Sequence, residues 1–141
     1  MKDEEYYEQV CVADYLRKKY PKVLFTASAS GVFGCGMPNY AKMLLAKKLV
    51  ASGYRKGCCD LLILEPKTEI INSSGLLPCM RKVINCAGLL IEMKKKKGGT
   101  VSPEQKEFLR IAEEKGYKAI VCEGADKAIL EIDIYLNGSA C

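Results

Sequence analysis

Apolar residues in this chain recur in two ways, at helical intervals of three to four and in short unbroken runs, and the alternation between them predicts the fold. Over residues 4–19, Glu8, Val12 and Leu16 fall on one face at intervals of four, which predicts an amphipathic helix ending before Pro21. Residues 22–27 (KVLFTA) are β-branched and aromatic enough for a strand, and residues 28–38, with Gly31, Gly34 and Gly36, predict a loop. A helix begins at Pro38 and runs to about Ser52, with Gly53 as its stop. After the basic turn Tyr54-Arg55-Lys56-Gly57, residues 59–64 (CDLLIL) predict a short buried strand. Residues 66–87 contain a turn at Asn72-Ser73-Ser74-Gly75 and otherwise suit either a hairpin or an extended excursion.

Residues 89–94 (LLIEMK) predict a second buried strand. Ser102-Pro103-Glu104-Gln105 then opens a helix with Ser at the N-cap, Pro at the first position and Gln at the third, a full capping box. That helix ends near Gly116, residues 117–122 (YKAIVC) form a strand, and residues 125–136 a last helix. The order α-β-α-β-β-α-β-α predicts a three-layer α/β sandwich with a mixed central sheet. No internal repeat and no long linker divides residues 1–141, so a single domain is expected.

Composition sharpens this. With 49% hydrophobic residues among 141, the chain can bury one core. Its longest apolar runs, such as residues 61–64, are too short to span a membrane, and its acidic N-terminus does not resemble a signal peptide, so a soluble intracellular protein is expected. The eight cysteines sit mostly inside apolar runs (Cys11, Cys58, Cys59, Cys122) and are expected to be buried thiols. A zinc site is the alternative; it lacks a C-x-x-C and would need Cys58, Cys59, Cys79 and Cys86 to converge.

The net charge of +5 is concentrated at Lys94 to Lys97 and around Lys47, Lys48, Arg55 and Lys56, which suits either a solvated face or a polyanionic partner. The absence of histidine is more decisive. It excludes Ser-His-Asp and Cys-His hydrolases, HNH-type nucleases, H-E-x-x-H peptidases and His-ligated zinc deaminases. Any catalysis must come from carboxylates, lysine and a hard metal.

Asp60 and Glu92 stand out because they lie on predicted core strands, and Lys94 shares a strand face with Glu92. If the two strands are neighbours, Asp60 and Glu92 can share one divalent ion, with the Met93 backbone oxygen as a further ligand and Lys94 beside the attacking water. A strand-end salt bridge is the plainer interpretation, and D…E-x-K spacing alone is common.

The surroundings are more specific. GLLIEMKKKKGGTVSPEQKEFL (88–109) resembles the signature of the VRR-NUC family, the virus-type replication-repair nuclease module: an acidic-x-Lys strand, glycine-rich basic residues, then Ser and Gln opening a helix. AKKLVASGYRKGCCDLLIL (46–64) resembles its basic helix, turn and aspartate strand; YKAIVCEGADKAI (117–129) and EQVCVADYLRKKYP (8–21) resemble its closing and opening elements. The resemblance therefore covers most of the chain. It implies a PD-(D/E)xK core of the restriction-endonuclease type, with Asp60 and Glu92 as metal ligands and Lys94 as the catalytic lysine. It also implies Gln105 as a site residue, although the capping box already occupies it, and Glu8 as the first-helix acid completing the metal site, with Glu5 as the alternative.

Two departures stand out: Cys59 replaces the proline usual before the aspartate, and residues 66–87 (carrying Arg81 and Lys82) form an insertion. Ser30, in TASASG, resembles the Ala-Ser-Gly segment of archaeal Holliday-junction resolvases, though an ordinary turn serine is the simpler interpretation.

The resemblance implies a Mg- or Mn-dependent endonuclease acting on branched DNA, four-way junctions or flaps, in repair, working as a homodimer. Ser30, Arg55, Lys56, Lys95, Lys96 and Lys97 would contact the nucleic acid. The minimal size within the family suggests a virus- or phage-encoded protein acting in a host cell. A catalytically inactive nucleic-acid-binding module of the same fold is the alternative.

Overall fold

The computed structural model describes residues 3–28, 37–72 and 80–138. The first helix, α1 (Asp3–Lys19), buries Val12 and Leu16 completely, as their spacing predicts. The predicted strand at 22–27 is shortened to β1 (Phe25–Ala27), because a turn in which the Val23 N–H donates to the Tyr20 carbonyl (3.0 Å) uses its first residues. Then come α2 (Asn39–Ala51), β2 (Leu61–Ile63), β3 (Lys67–Asn72), β4 (Met80–Cys86) and β5 (Leu89–Lys94), followed by α3 (Pro103–Glu114), β6 (Lys118–Glu123) and α4 (Ala125–Asn137).

Four strands form a mixed sheet in the order β1-β2-β5-β6. The β1–β2 and β2–β5 pairings are antiparallel, and β5–β6, joined by the α3 crossover, is parallel. β5 is central, and all six of its residues are buried. Its odd positions, Leu89, Ile91 and Met93, pack with Val12 and Leu16 of α1 and with Ala128, Ile132 and Tyr135 of α4. On the other face, Leu90 packs with Leu109 and Ala112 of α3. These are the three layers expected from the element order. Each fully buried Leu or Ile contributes about 1.5–3 kcal/mol relative to exposure.

The described parts of 66–87 pair as the two strands of a hairpin, and the turn predicted at Asn72-Ser73-Ser74-Gly75 lies, beyond Asn72, outside the described residues. β3 and β4 pair antiparallel in a separate two-stranded sheet and add two strands to the predicted order. The ammonium of Lys67 ties this hairpin to the end of α4 by donating to the carbonyls of Leu136 (3.1 Å) and Gly138 (2.8 Å). Ile70, Ile71 and Ile84 on it remain exposed. Among the described residues no helix is long and apolar enough to cross a membrane.

The expectation of buried thiols needs correction at two positions. Cys11 is exposed, and Cys86 is buried but disulfide-bonded, so it offers no thiolate to the four-cysteine zinc site considered above.

Candidate active site

The register of β2 against β5 pairs Leu61 with Ile91, so one further step sets Asp60 opposite Glu92. Asp60 is locked there by its own backbone and side chain. Its Oδ2 accepts the Met93 N–H at 2.8 Å, and its carbonyl accepts the Ser28 N–H at 2.8 Å and Gln9 Nε2 at 3.3 Å. The even positions of β5 face α3, which turns Glu92 and Lys94 toward that helix.

Glu92 is completely buried and Lys94 nearly so. Glu92 Oε1 accepts from Lys94 Nζ at 2.6 Å and from Gln105 Nε2. Its other oxygen, Oε2, is buried with no hydrogen-bond partner. An unpaired buried carboxylate oxygen is costly. Burial first, and then the charge of Asp60, push the Glu92 carboxyl up to about 7, against the opposing pull of Lys94. Glu5 adds a smaller push in the same direction.

Gln105 completes the cap and also reaches Glu92. Its Oε1 accepts the Ser102 N–H at 2.9 Å and its own N–H donates to Ser102 Oγ at 3.2 Å, completing the capping box. With that oxygen held by the cap, the amide nitrogen is turned toward Glu92. Local helix chemistry therefore aims the site residue.

The two acids weighed for the first helix, Glu8 and Glu5, take different places. Glu8 accepts the Ala125 N–H at 2.5 Å, capping the start of α4, and lies 3.6 Å from Lys96 Nζ. Glu5 instead accepts the Lys95 N–H at 3.3 Å, next to the end of β5, and its charge acts on Glu92. Positions 5, 9, 12 and 16 make as regular a helical stripe as 8, 12 and 16, so periodicity could not separate the two acids. Gln9, on the stripe with Glu5, was missed for the same reason; the i, i+4 relation to Glu5 was its only signal.

The basic residues divide. Lys56 pairs with Glu104 at 2.5 Å, and the Arg55 guanidinium lies over the Phe108 ring. Lys96 pairs with Asp126 at 3.1 Å as well as with Glu8. Lys97 is exposed and Lys95 half-buried. Ser30 lies outside the described residues. Gly99, in the glycine-rich stretch after β5, lets the backbone lie against the Lys94 side chain: a Cβ there would come within 2.7 Å of Lys94 Cβ.

The segment entering β2 is equally constrained. Gly57 has φ +85° and packs so closely on α3 that a Cβ would lie 2.4 Å from the Glu104 carbonyl oxygen. Cys59 is buried, and the half-buried Cys58 beside it is pulled down to about 7, chiefly by a hydrogen bond from Cys59.

Among the described residues no three Cys, Asp or Glu side chains converge as a ready-made metal cage. Two carboxylates with one unpaired oxygen fit a different ion, one that keeps much of its own water, as Mg²⁺ does.

Residues 3–126 match the family model of the VRR-NUC domain. A solved structure named "VRR_NUC domain protein" is similar over 97% of this chain and 91% of that one, with a TM-score of 0.67 and 21% identity, which shows a shared fold. No curated protein matches the chain.

Proposed function

We propose that this chain, which belongs to the VRR-NUC domain family and is thus a nuclease-type module, is a Mg- or Mn-dependent endonuclease that hydrolyses phosphodiester bonds in branched DNA. The observation that carries this is the unpartnered, buried Oε2 of Glu92, held beside the Asp60 charge and a lysine. Two like charges in a buried setting favour a divalent cation beside them. When bound, such an ion neutralises charge on the phosphoryl group and makes a water nucleophilic.

The chain's own residues supply the rest. Asp60 and Glu92 hold the ion, Glu5 adds negative charge from α1, and Gln105 fixes the Glu92 carboxylate by its anchored amide. Lys94 positions the attacking water and offsets charge on the phosphate. Gly99 and the walls of β5 keep its stem in one place. Lys95 and Lys97 flank this point on the chain and contact phosphates on either side of the cut; Arg55 joins them from the β2 side. Cutting opposed strands of a junction needs two active sites, which a second copy of the chain provides in a homodimer.

The test is cleavage of matched four-way junction, 5′-flap, splayed-arm and linear duplex substrates with Mg²⁺, Mn²⁺ or EDTA, alongside the solution mass from light scattering. Paired, metal-dependent cuts in the junction by a dimer are expected. Cutting of flaps alone would keep the chemistry and remove the symmetric dimer. Binding without cutting of any substrate would leave an inactive nucleic-acid-binding module.

A further inference from the structure

Cys58 and Cys59 are two adjacent thiols immediately before Asp60, and nothing in the proposed chemistry uses them. Both are free; Cys58 is half-buried, whereas Cys59 is fully enclosed between β5 and α3. The Cys59 thiol donates to the Leu61 carbonyl at 3.5 Å, and the Cys58 sulfur stands on the residue immediately before it. Solvent reaches one of them and not the other.

The segment carrying them is clamped at both ends by the site. On one side Gly57 lies against the Glu104–Gln105 backbone, with Lys56 paired to Glu104 and Arg55 over Phe108. On the other, Asp60 is bonded to the Met93 N–H and through its carbonyl to Ser28 and Gln9. Any change in the backbone at 58–59 must therefore move Asp60, Gln105 or both.

We propose that Cys58–Cys59 is an oxidation-sensitive dithiol whose closure to a disulfide disables the neighbouring site. The oxidant is a hydroperoxide. The Cys58 sulfur attacks its terminal oxygen, the O–O bond breaks, and an alcohol (or water, from hydrogen peroxide) leaves as Cys58 becomes a sulfenic acid. The Cys59 thiol then attacks that sulfur; the S–S bond forms, the S–O bond breaks, and water leaves. The two thiols lose two electrons in all, and the peroxide bond takes them up.

Ring closure between neighbours forces a backbone change. Bridged cysteines ordinarily have Cα atoms about 4.4–6.8 Å apart, whereas consecutive Cα atoms are about 3.8 Å apart. The 58–59 peptide must twist to accommodate the bond, and with both flanks pinned the twist is transmitted to Asp60 and to the Gln105 cap. A thiol reductant reverses it.

The effect on the metal site rests on the function proposed above; the oxidation itself does not. Purified full-length protein is treated with hydrogen peroxide and then with dithiothreitol. Trypsin releases residues 57–67, a peptide holding Cys58 and Cys59 and no other cysteine. Loss of two hydrogens from this peptide, reversed by dithiothreitol, is expected. Amide hydrogen exchange should accelerate at 60–63 and 104–106.

Mn²⁺ affinity and cleavage should fall about tenfold or more, as when a residue supporting a metal ligand is removed. Cys58→Ser should stay insensitive to peroxide in every readout, and Cys59→Ala should oxidise at Cys58 without forming the ring. Because the Cys86 disulfide is common to all variants, a difference between them isolates the 58–59 pair. Sulfinic or sulfonic acid at Cys58 with no disulfide, or a disulfide that leaves exchange unchanged, would overturn the proposal. If untreated protein neither binds Mn²⁺ nor cuts DNA, the nuclease function fails, and the mass and exchange readouts still decide the switch.

Discussion

Two carboxylates at opposite ends of α1 show how similar residue sets can serve different ends. Near its C-terminus, Asp133 of α4 accepts hydrogen bonds from Tyr15 (2.7 Å), Tyr20 (2.8 Å) and Lys19 (2.8 Å). Near its N-terminus, about 20 Å away along the helix, Glu92 also has a lysine and a neutral polar donor. There both donors converge on a single oxygen, the other is left buried and unpaired, and a second acid stands beside it. The Lys19 hydrogen bond, foremost, holds Asp133 below the usual carboxylate range, whereas burial raises Glu92 to about 7. The difference lies in how completely the donors cover the charge. The first arrangement stabilises the anion as it stands, and the second leaves part of its charge uncompensated.

The strongest way to break this contrast is to remove chemistry at one end only. Lys94→Ala should lower DNA cleavage by about 10²–10⁴-fold in single-turnover assays, with circular dichroism and DNA binding little changed; cleavage at the wild-type rate would refute the proposed role. Asp60→Asn should lose Mn²⁺ binding, read by calorimetry, together with cleavage.

Next in size is a pH-dependent gain in stability. The folded-state pKa of Glu92, about 7, lies above its ordinary 4.5. The metal-free fold therefore favours the protonated acid, and this contribution is fully present below about 4.5 and lost as pH rises to about 7. A tenfold difference in proton affinity between folded and unfolded chain corresponds to about 1.4 kcal/mol. Glu92→Gln should therefore raise the melting temperature of metal-free protein at pH 8, by an amount that vanishes near pH 4. The same variant should lose cleavage. An equal gain at both pH values would show that ionisation is not the cause.

Asp133→Asn tests the other end, with the opposite sign. Because the Asp133 pKa is depressed, its contribution is present above the ordinary aspartate value and lost as pH falls through the folded one. The substitution should cost about 1–2 kcal/mol at pH 7 in urea unfolding, and less in acid. Cleavage per folded molecule should be unaltered.

The smallest effect separates the two acids of α1. Glu5→Gln should weaken Mn²⁺ binding by up to about tenfold with little change in stability. Glu8→Ala should remove the α4 cap at about 1 kcal/mol and leave Mn²⁺ affinity near wild type. The reverse pattern would return Glu8 to the metal site.

Other parts of the molecule differ in how far the chain alone reveals them. The buried runs at β2 and β5 and the capping box at Ser102 were legible because each depends on neighbours within a few residues. α2 was also legible as a helix, yet it buries none of its residues and leaves Tyr40, Met43, Leu44 and Val50 exposed. The insertion at 66–87 admitted two descriptions because either would satisfy its local pattern; pairing of Ile70 with Lys82 and Glu69 with Val83 selected the hairpin.

The chain alone revealed the family, the elements outside 66–87, and Asp60, Glu92 and Lys94 as candidates for the proposed site, because strand alternation and helix caps are set by residues close along the chain. Only the folded chain shows which oxygen of Glu92 stays unpaired, that Gln105 both completes the cap and reaches Glu92, and that the charge of Glu5 acts on Glu92 while Glu8 caps α4. Those outcomes depend on pairings across β2–β5 and on the approach of α1 and α3 to the end of β5. The burial and Coulomb forces that shift a pKa arise only when such distant segments meet.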